Sequence, residues 1–339
     1  MSKILKHREN ISNFILSKSC FSSIIEKEFL KEFMDSDYSL FPVAMLSVFS
    51  TQVKKNKIKS YHTLHAASAL VLMIILINID ENKNYYKEKY GESNIKKIKN
   101  QATIFIFEAV AQNIKTMENT LGNELSSKLQ KKISSILHDK LLLLTENNIK
   151  NNNLKMKKSD IIKFKFDDKD IIQKKYKNLK RIEQKDLIEY IENKYCSIGQ
   201  CAFLFGWLFG MGCENQKSLD SISKIGSSFG YLIKLICDFW NLENNIKITN
   251  NGEPSYNYVV NYGIHESFRI YDENKVKFIE GCITNELFSS SIKELVEKID
   301  KTYDKCLRNT ELELQSQYSS FISDKTIEEK KNDTKKKEK

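Results

Sequence analysis

The chain contains only two prolines, Pro42 and Pro254, and eleven glycines in 339 residues. Proline breaks helices and glycine loosens them, so this scarcity favours long helices and argues against a turn-rich β architecture. Arginine is equally scarce. It occurs at Arg8, Arg181, Arg269 and Arg308, and lysine supplies the other 50 of the 54 basic residues. There is therefore no arginine cluster to grip phosphates in a bidentate way. The seven cysteines are scattered and odd in number, with no CxxC pair and no Cys/His spacing that suggests zinc. Several lie in apolar runs, as reduced core cysteines of a cytoplasmic protein do. No secretory signal is expected; the basic, Ser-containing start holds a single arginine, so a mitochondrial presequence is the minor alternative.

No transmembrane segment is expected either. The longest apolar run, His65–Leu76, is twelve residues, or about twenty if Tyr61–Asp80 is counted whole. It carries His65, with His62 and Ser68 nearby, and reads as a helix buried inside a helical protein. The net charge of +10 is concentrated: Lys150–Asp186 holds 13 Lys/Arg against 6 Asp/Glu. That segment reads as a solvated lysine-rich loop; contact with nucleic acid or an anionic surface is the sharper alternative, with no aromatic-interleaved motif to support it. At this length a single all-α domain can bury one large core.

Apolar residues recur at three- and four-residue spacing through Ile11, Phe14, Ile15 and then Ile24, Ile25, Phe29, Leu30 and Phe33, which predicts one or two helices within 1–35. Asp35-Ser-Asp37 is a plausible break and cap. Further helices are expected over Leu40–Val53, Ile95–Met117, Leu125–Leu144 and Ile292–Leu314, with a loop at Asn244–Ser255 and a shorter aromatic stretch at Tyr256–Phe268. The expected organisation is N-terminal helices at 1–35, a helical domain at 36–315 with a basic loop at 147–186, and a charged disordered tail at 316–339.

Several segments in the family's order resemble the trans-isoprenyl diphosphate synthases (polyprenyl synthases). His65, Ala67 and Ser68 fit the family's HxASLxHDDxxD helix, and Pro42, Tyr90-Gly91-Glu92, Lys194 with Gly206 twelve residues on, and Gly226-x-x-x-Gly230 fit further steps. The resemblance implies an all-α single-domain bundle of the isoprenoid synthase type. In the family, two aspartate-rich helices hold Mg²⁺ against an allylic diphosphate. Here the first set of aspartates falls on Leu72, Met73 and Leu76, and the second on Cys237, Asp238 and Asn241. Hydrocarbon and thioether side chains do not ligate Mg²⁺. The family's substrate-binding arginines are missing, and Lys99 and Asn100 stand where it shows Gly-Asp.

What the resemblance implies is a protein that keeps the helices and loses the chemistry: a non-catalytic accessory or regulatory subunit in isoprenoid biosynthesis. No catalytic or metal-binding residue is assigned, and Mg²⁺ enters only if activity remains. Lys194 and Asp238 are the relic positions for substrate binding. The implied partners are a second copy or an active prenyl synthase, with an isoprenoid or lipid as a possible ligand. The dimer face is expected on Ala102–Val110, through Ala102, Phe105, Ile106 and Ala109. Alternatives are an active prenyltransferase or terpene synthase with atypical residues, and a repurposed scaffold or nucleic-acid-binding protein.

Overall fold

The computed structural model describes residues 2–17, 23–57, 63–151, 157–158, 180–250, 255–306 and 308. Its helices are α1 (Lys3–Leu16), α2 (Ile24–Asp35), α3 (Leu40–Asn56), α4 (Leu64–Glu81), α5 (Lys83–Tyr90), α6 (Glu92–Leu121) and α7 (Asn123–Asn151), followed by α8 (Gln184–Ile191), α9 (Ser197–Phe209), α10 (Gln216–Trp240), α11 (Leu242–Asn250), α12 (Tyr258–Thr284) and α13 (290–306). The fold is all-α. Among the described residues the only strands are β1 (Lys157–Lys158) and β2 (Lys180–Arg181), antiparallel with Lys157 opposite Arg181.

Local chemistry sets the helix ends. Ser23 and Glu26 form a reciprocal capping box at the start of α2, satisfying two N–H groups that the first turn leaves without partners. Ser36 is extended and is followed by a 3₁₀ turn, Asp37–Ser39, which is the break read from Asp35-Ser-Asp37. Pro42 sits in the first turn of α3, where its missing N–H costs nothing. Gly91 joins α5 to α6 at φ +82°, a conformation that side chains with a Cβ resist.

Two expectations need correction. Asn244–Ser255 is not a loop throughout, because α11 occupies 242–250. Leu242, Ile246 and Thr249 are buried at four- and three-residue spacing, a helical face that the run of asparagines hides. The basic segment is also shorter than 147–186: α7 continues to Asn151, and α8 begins at Gln184. Residues 152–156 and 159–179 lie outside the described residues, as does the expected tail at 316–339.

The chain divides into two compact units interleaved in sequence. The first comprises Met1–Asn153, Glu189–Lys234 and Asp272–Glu297. In it α9 packs against α3, and α4 against α6. An aromatic cluster sits at its core: the Phe229 ring lies 5.6 Å from Phe41, 5.5 Å from Phe203 and 5.5 Å from Phe278. Each of these buried rings contributes roughly 2–3 kcal/mol by area. The start of α1 is held by Glu294 of α13, which accepts the backbone N–H of Lys3 at 3.0 Å and of Ile4 at 3.4 Å together with the Ser2 hydroxyl.

The second unit comprises Leu154–Ile188, Leu235–Tyr271 and Lys298–Lys339. Tyr271 and Tyr303 stack at 3.8 Å, and Phe239 meets Tyr303 edge-on at 5.0 Å. The start of α12 is built from amides. Asn257 caps it by accepting the Val260 N–H at 3.0 Å, while the Asn261 side chain donates to the Ser255 and Asn257 carbonyls and accepts the Ile182 N–H.

Among the described residues no single helix is long and apolar enough to cross a membrane. Residues 64–80 meet the criterion only together with α5, across a bend of 97°.

Candidate functional site

The helix α4 buries Ala67, Ser68, Leu72 and Ile75 completely. Met73 and Leu76 are half-buried. His65 is packed edge-on against Phe14, ring centres 4.7 Å apart, so its imidazole belongs to the contact between α1 and α4. One acid lies further along this helix. Asp80 is paired with Lys99 of α6 at 2.5 Å, with both side chains substantially exposed. Lys99 thus neutralises the carboxylate nearest to the three replaced positions in sequence.

Lys194 lies in a π-turn, Glu192–Cys196, inserted between α8 and α9. Such insertions re-aim the side chains that follow them and are frequent at functional sites. Here the turn carries Lys194 and Tyr195 into the interior of the first unit, at 2% and 4% exposure. Next to them stands Lys234 of α10, 3% exposed. The Lys194 Nζ lies 4.8 Å and the Lys234 Nζ 5.4 Å from the centre of the Tyr195 ring, and each lies 5.8 Å from that of Tyr190. Tyr38, from the 3₁₀ turn before α3, closes the group: its hydroxyl is 2.7 Å from that of Tyr195, and its ring is 5.7 Å from the Lys194 Nζ. The negative faces of the rings stabilise the buried ammonium groups.

Glycines bring these parts together. A Cβ on Gly230 would stand 2.4 Å from the Tyr195 carbonyl oxygen, and one on Gly199 would stand 2.1 Å from that of Gly226. Only bare backbone lets α10 cross the π-turn and α9 so closely. That crossing sets Lys234, one turn beyond Gly230, beside Tyr195. Sequence reasoning assigned Lys194 and missed Lys234. The available signal was a single lysine inside the apolar run Leu232–Ile236.

Asp238 belongs to the second unit and is 4% exposed. Its carboxylate accepts the backbone N–H of Tyr258, the first residue of α12, at 2.8 Å, and its carbonyl accepts from the Asn257 amide at 2.7 Å. Asn241 turns its amide back onto the Cys237 carbonyl at 2.8 Å. The positions aligned with the second metal motif therefore supply a thiol, a carboxylate engaged at a helix start and an amide engaged with backbone. Mg²⁺ demands several hard oxygen ligands in near-octahedral array. These residues do not fit it, and among the described residues no group of three His, Cys, Asp or Glu could hold a metal ion. Two buried cysteines offer no substitute: burial pushes the Cys201 thiol up to about 12 and the Cys282 thiol to about 12, far from a thiolate at neutral pH.

No protein-family model matches the sequence, and no curated protein matches it. Solved structures do. One is described as a candidate farnesyl-diphosphate synthase from Marinomonas sp. MED121; it superposes with a TM-score of 0.54 at 15% identity, covering 88% of this chain and 99% of that one. Another is an FPP/GFPP synthase from Zymomonas mobilis, with a TM-score of 0.53 at 9% identity, covering 87% of this chain and 95% of that one. The fold is that of the trans-prenyl synthases. Within the prenyl synthase fold, the sequence resemblance and the structural likeness agree on the all-α architecture.

Proposed function

We propose that the chain is a non-catalytic polyprenyl-synthase-like protein that serves as an accessory or regulatory subunit in isoprenoid biosynthesis. The observation that carries this reading is the fate of Asp238. The last aspartate at the aligned metal positions is engaged with the Tyr258 N–H at 2.8 Å, while Leu72, Met73 and Leu76 stand at the other set. Ionising an allylic diphosphate needs the leaving pyrophosphate to be stabilised by metal ions and cationic clamps, usually the largest contributions to such chemistry. Losing each contact costs on the order of a few kcal/mol, and several are lost together.

On this reading an isoprenoid or lipid is the ligand expected, and Lys194 is the relic substrate-binding position, since lysine serves as a point charge for phosphate. Binding without turnover is the mode expected of a regulatory subunit.

The test has two arms. Purified chain incubated with isopentenyl diphosphate, farnesyl diphosphate and Mg²⁺ is expected to give no elongated product and no pyrophosphate. Coexpressed with a DDxxD-bearing synthase from its source, it is expected to co-purify and to change that enzyme's stability or product length. Turnover by the chain alone, lost in Asp238→Ala, would overturn the non-catalytic reading.

A further inference from the structure

On α6, Ala102, Phe105 and Ala109 are fully buried within the first unit, so the dimer face expected there is filled by the chain itself. A group open to outside chemistry lies one helix earlier. The carboxylate of Glu32, on α2, gathers three donors from α5. It accepts the Tyr85 hydroxyl at 3.0 Å and the Lys89 ammonium at 2.8 Å, and the Tyr90 hydroxyl donates to the same oxygen as Lys89. Lys89 also donates to the Tyr85 hydroxyl at 3.1 Å, and its Nζ lies 5.4 Å from the centre of the Tyr85 ring and 5.4 Å from that of Tyr90. One ammonium thus ties together a carboxylate, a hydroxyl and two aromatic rings, all of which favour positive charge. The Lys89 side chain remains 44% exposed, so a small reagent reaches it.

The helix that this group holds is short and hinged. α5 has eight residues, meets α4 at a bend of 97° and passes to α6 through Gly91 at φ +82°. Its remaining ties carry no charge: Phe29 of α2 lies 5.4 Å from the Tyr86 ring and 5.5 Å from that of Tyr90, and Asn78 of α4 donates to the Tyr86 hydroxyl at 2.8 Å. Beside Lys89 and Tyr90 runs a cavity of about 610 Å³ that reaches Glu28, Lys31 and Asp35. Glu28, Glu32 and Asp35 are four and three residues apart in sequence, so they share one face of α2 and repel one another. Around the cavity three carboxylates face the two lysines Lys31 and Lys89. Without the charge on Lys89, Lys31 alone would face all three.

We infer that Lys89 is an acylation site, and that its acylation by an acyl phosphate unlatches α5 from α2. The neutral amine attacks the acyl carbonyl, the C–N bond forms, the C–O bond to phosphate breaks, and the nitrogen gives up a proton to solvent as inorganic phosphate leaves. The amide so formed is uncharged and has a single N–H where the ammonium had three. The latch guards its own site. Glu32, then the Tyr85 hydroxyl, hold the Lys89 ammonium above its ordinary value, and a protonated amine is no nucleophile. Acylation therefore proceeds from the open form and keeps it open. The inference does not rest on the loss of catalysis and stands or falls separately from it.

The full chain, with acetyl phosphate as the donor, gives two readouts. Peptide mass spectrometry is expected to show Lys89 acetylated about threefold or more slowly than Lys83, which is exposed on the same helix, and Glu32→Gln is expected to remove the difference. Nε-acetyllysine placed at position 89 by codon suppression is expected to speed hydrogen exchange of the 83–90 amides about three- to tenfold, with α3 and α9 unchanged. Lys89→Gln should match acetyllysine, whereas Lys89→Arg keeps the charge and should keep the parent's protection. Equal protection of 83–90 with lysine and with acetyllysine, or a parent Lys89 that reacts as fast as Lys83, would overturn the inference. Exchange that rises throughout the chain would also overturn it, by making Lys89 a support of the whole fold.

Discussion

The Asp238 carboxylate and the Tyr258 backbone N–H meet at 2.8 Å, joining the end of α10 to the start of α12. A carboxylate at a helix N-terminus is favoured both by the orphan N–H groups and by the helix dipole. The aspartate at an aligned metal position thus works here as a structural anchor.

Asp238→Ala is expected to lower stability by about 1–2 kcal/mol, because it leaves a buried N–H without an acceptor. Asp238→Asn keeps an oxygen in place and should lose less. Denaturant unfolding of the two variants checks the order. An alanine variant as stable as the parent would detach the residue from this role.

The glycine crossing gives a sharper test. Gly230→Ala is expected to cost about 1–3 kcal/mol, since its Cβ would meet backbone that cannot rotate away. For a chain of this size that lowers the melting temperature by about 1.5–4 °C. Calorimetry reads it directly, and an unchanged melting temperature would contradict the close approach.

The hydroxyls of Tyr38 and Tyr195 should be coupled energetically. In a double-mutant cycle of Tyr38→Phe and Tyr195→Phe, the coupling is expected near 1 kcal/mol. Strict additivity would place the pair outside hydrogen-bonding contact in solution.

Acid should loosen α1 first. Burial raises the Glu294 carboxyl, but the Ser2 hydroxyl and the N–H groups of Lys3 and Ile4 outweigh it and hold the group below its ordinary value. Burial, then Lys6, holds the His7 imidazole below its ordinary 6.5. Both groups have folded values depressed, so both contribute stability that is present above the unfolded value and is lost as pH falls through the folded one. The melting temperature should therefore begin to fall below about pH 6.5 through His7 and fall again below the ordinary carboxylate range through Glu294. Glu294→Gln is expected to flatten the second step, and an unchanged acid limb in that variant would rule the clamp out.

How much of this was legible in the sequence varied with the kind of question. The apolar run containing Leu72 and Ile75 declared a buried helix, because that signal is local, whereas Gly226 and Gly230 entered only through the family resemblance and the close crossing they allow needs the packed backbone. Periodicity also found a face on α6. It could not say which of two apolar faces the chain covers for itself, so Phe105 was read as outward when it is the inward residue and Phe107 the outward one. Only the packing of α4 on α6 decides that. The asparagines of 244–250 concealed a helix whose buried face includes Leu242, Ile246 and Thr249. The role of Asp238 was invisible, since its partner is a backbone N–H twenty residues on, and backbone groups carry no sequence signal.

The clamp on α1 has a kinetic side. The Ser2 hydroxyl and Glu294 are 292 residues apart in the chain, so α1 meets this acceptor only after all the intervening chain has been made. Until then its apolar face, Ile4, Ile11 and Ile15, lacks that end of its seat. Closing so distant a contact is slow and comes late. During synthesis, α1 thus waits for its seat over that whole interval.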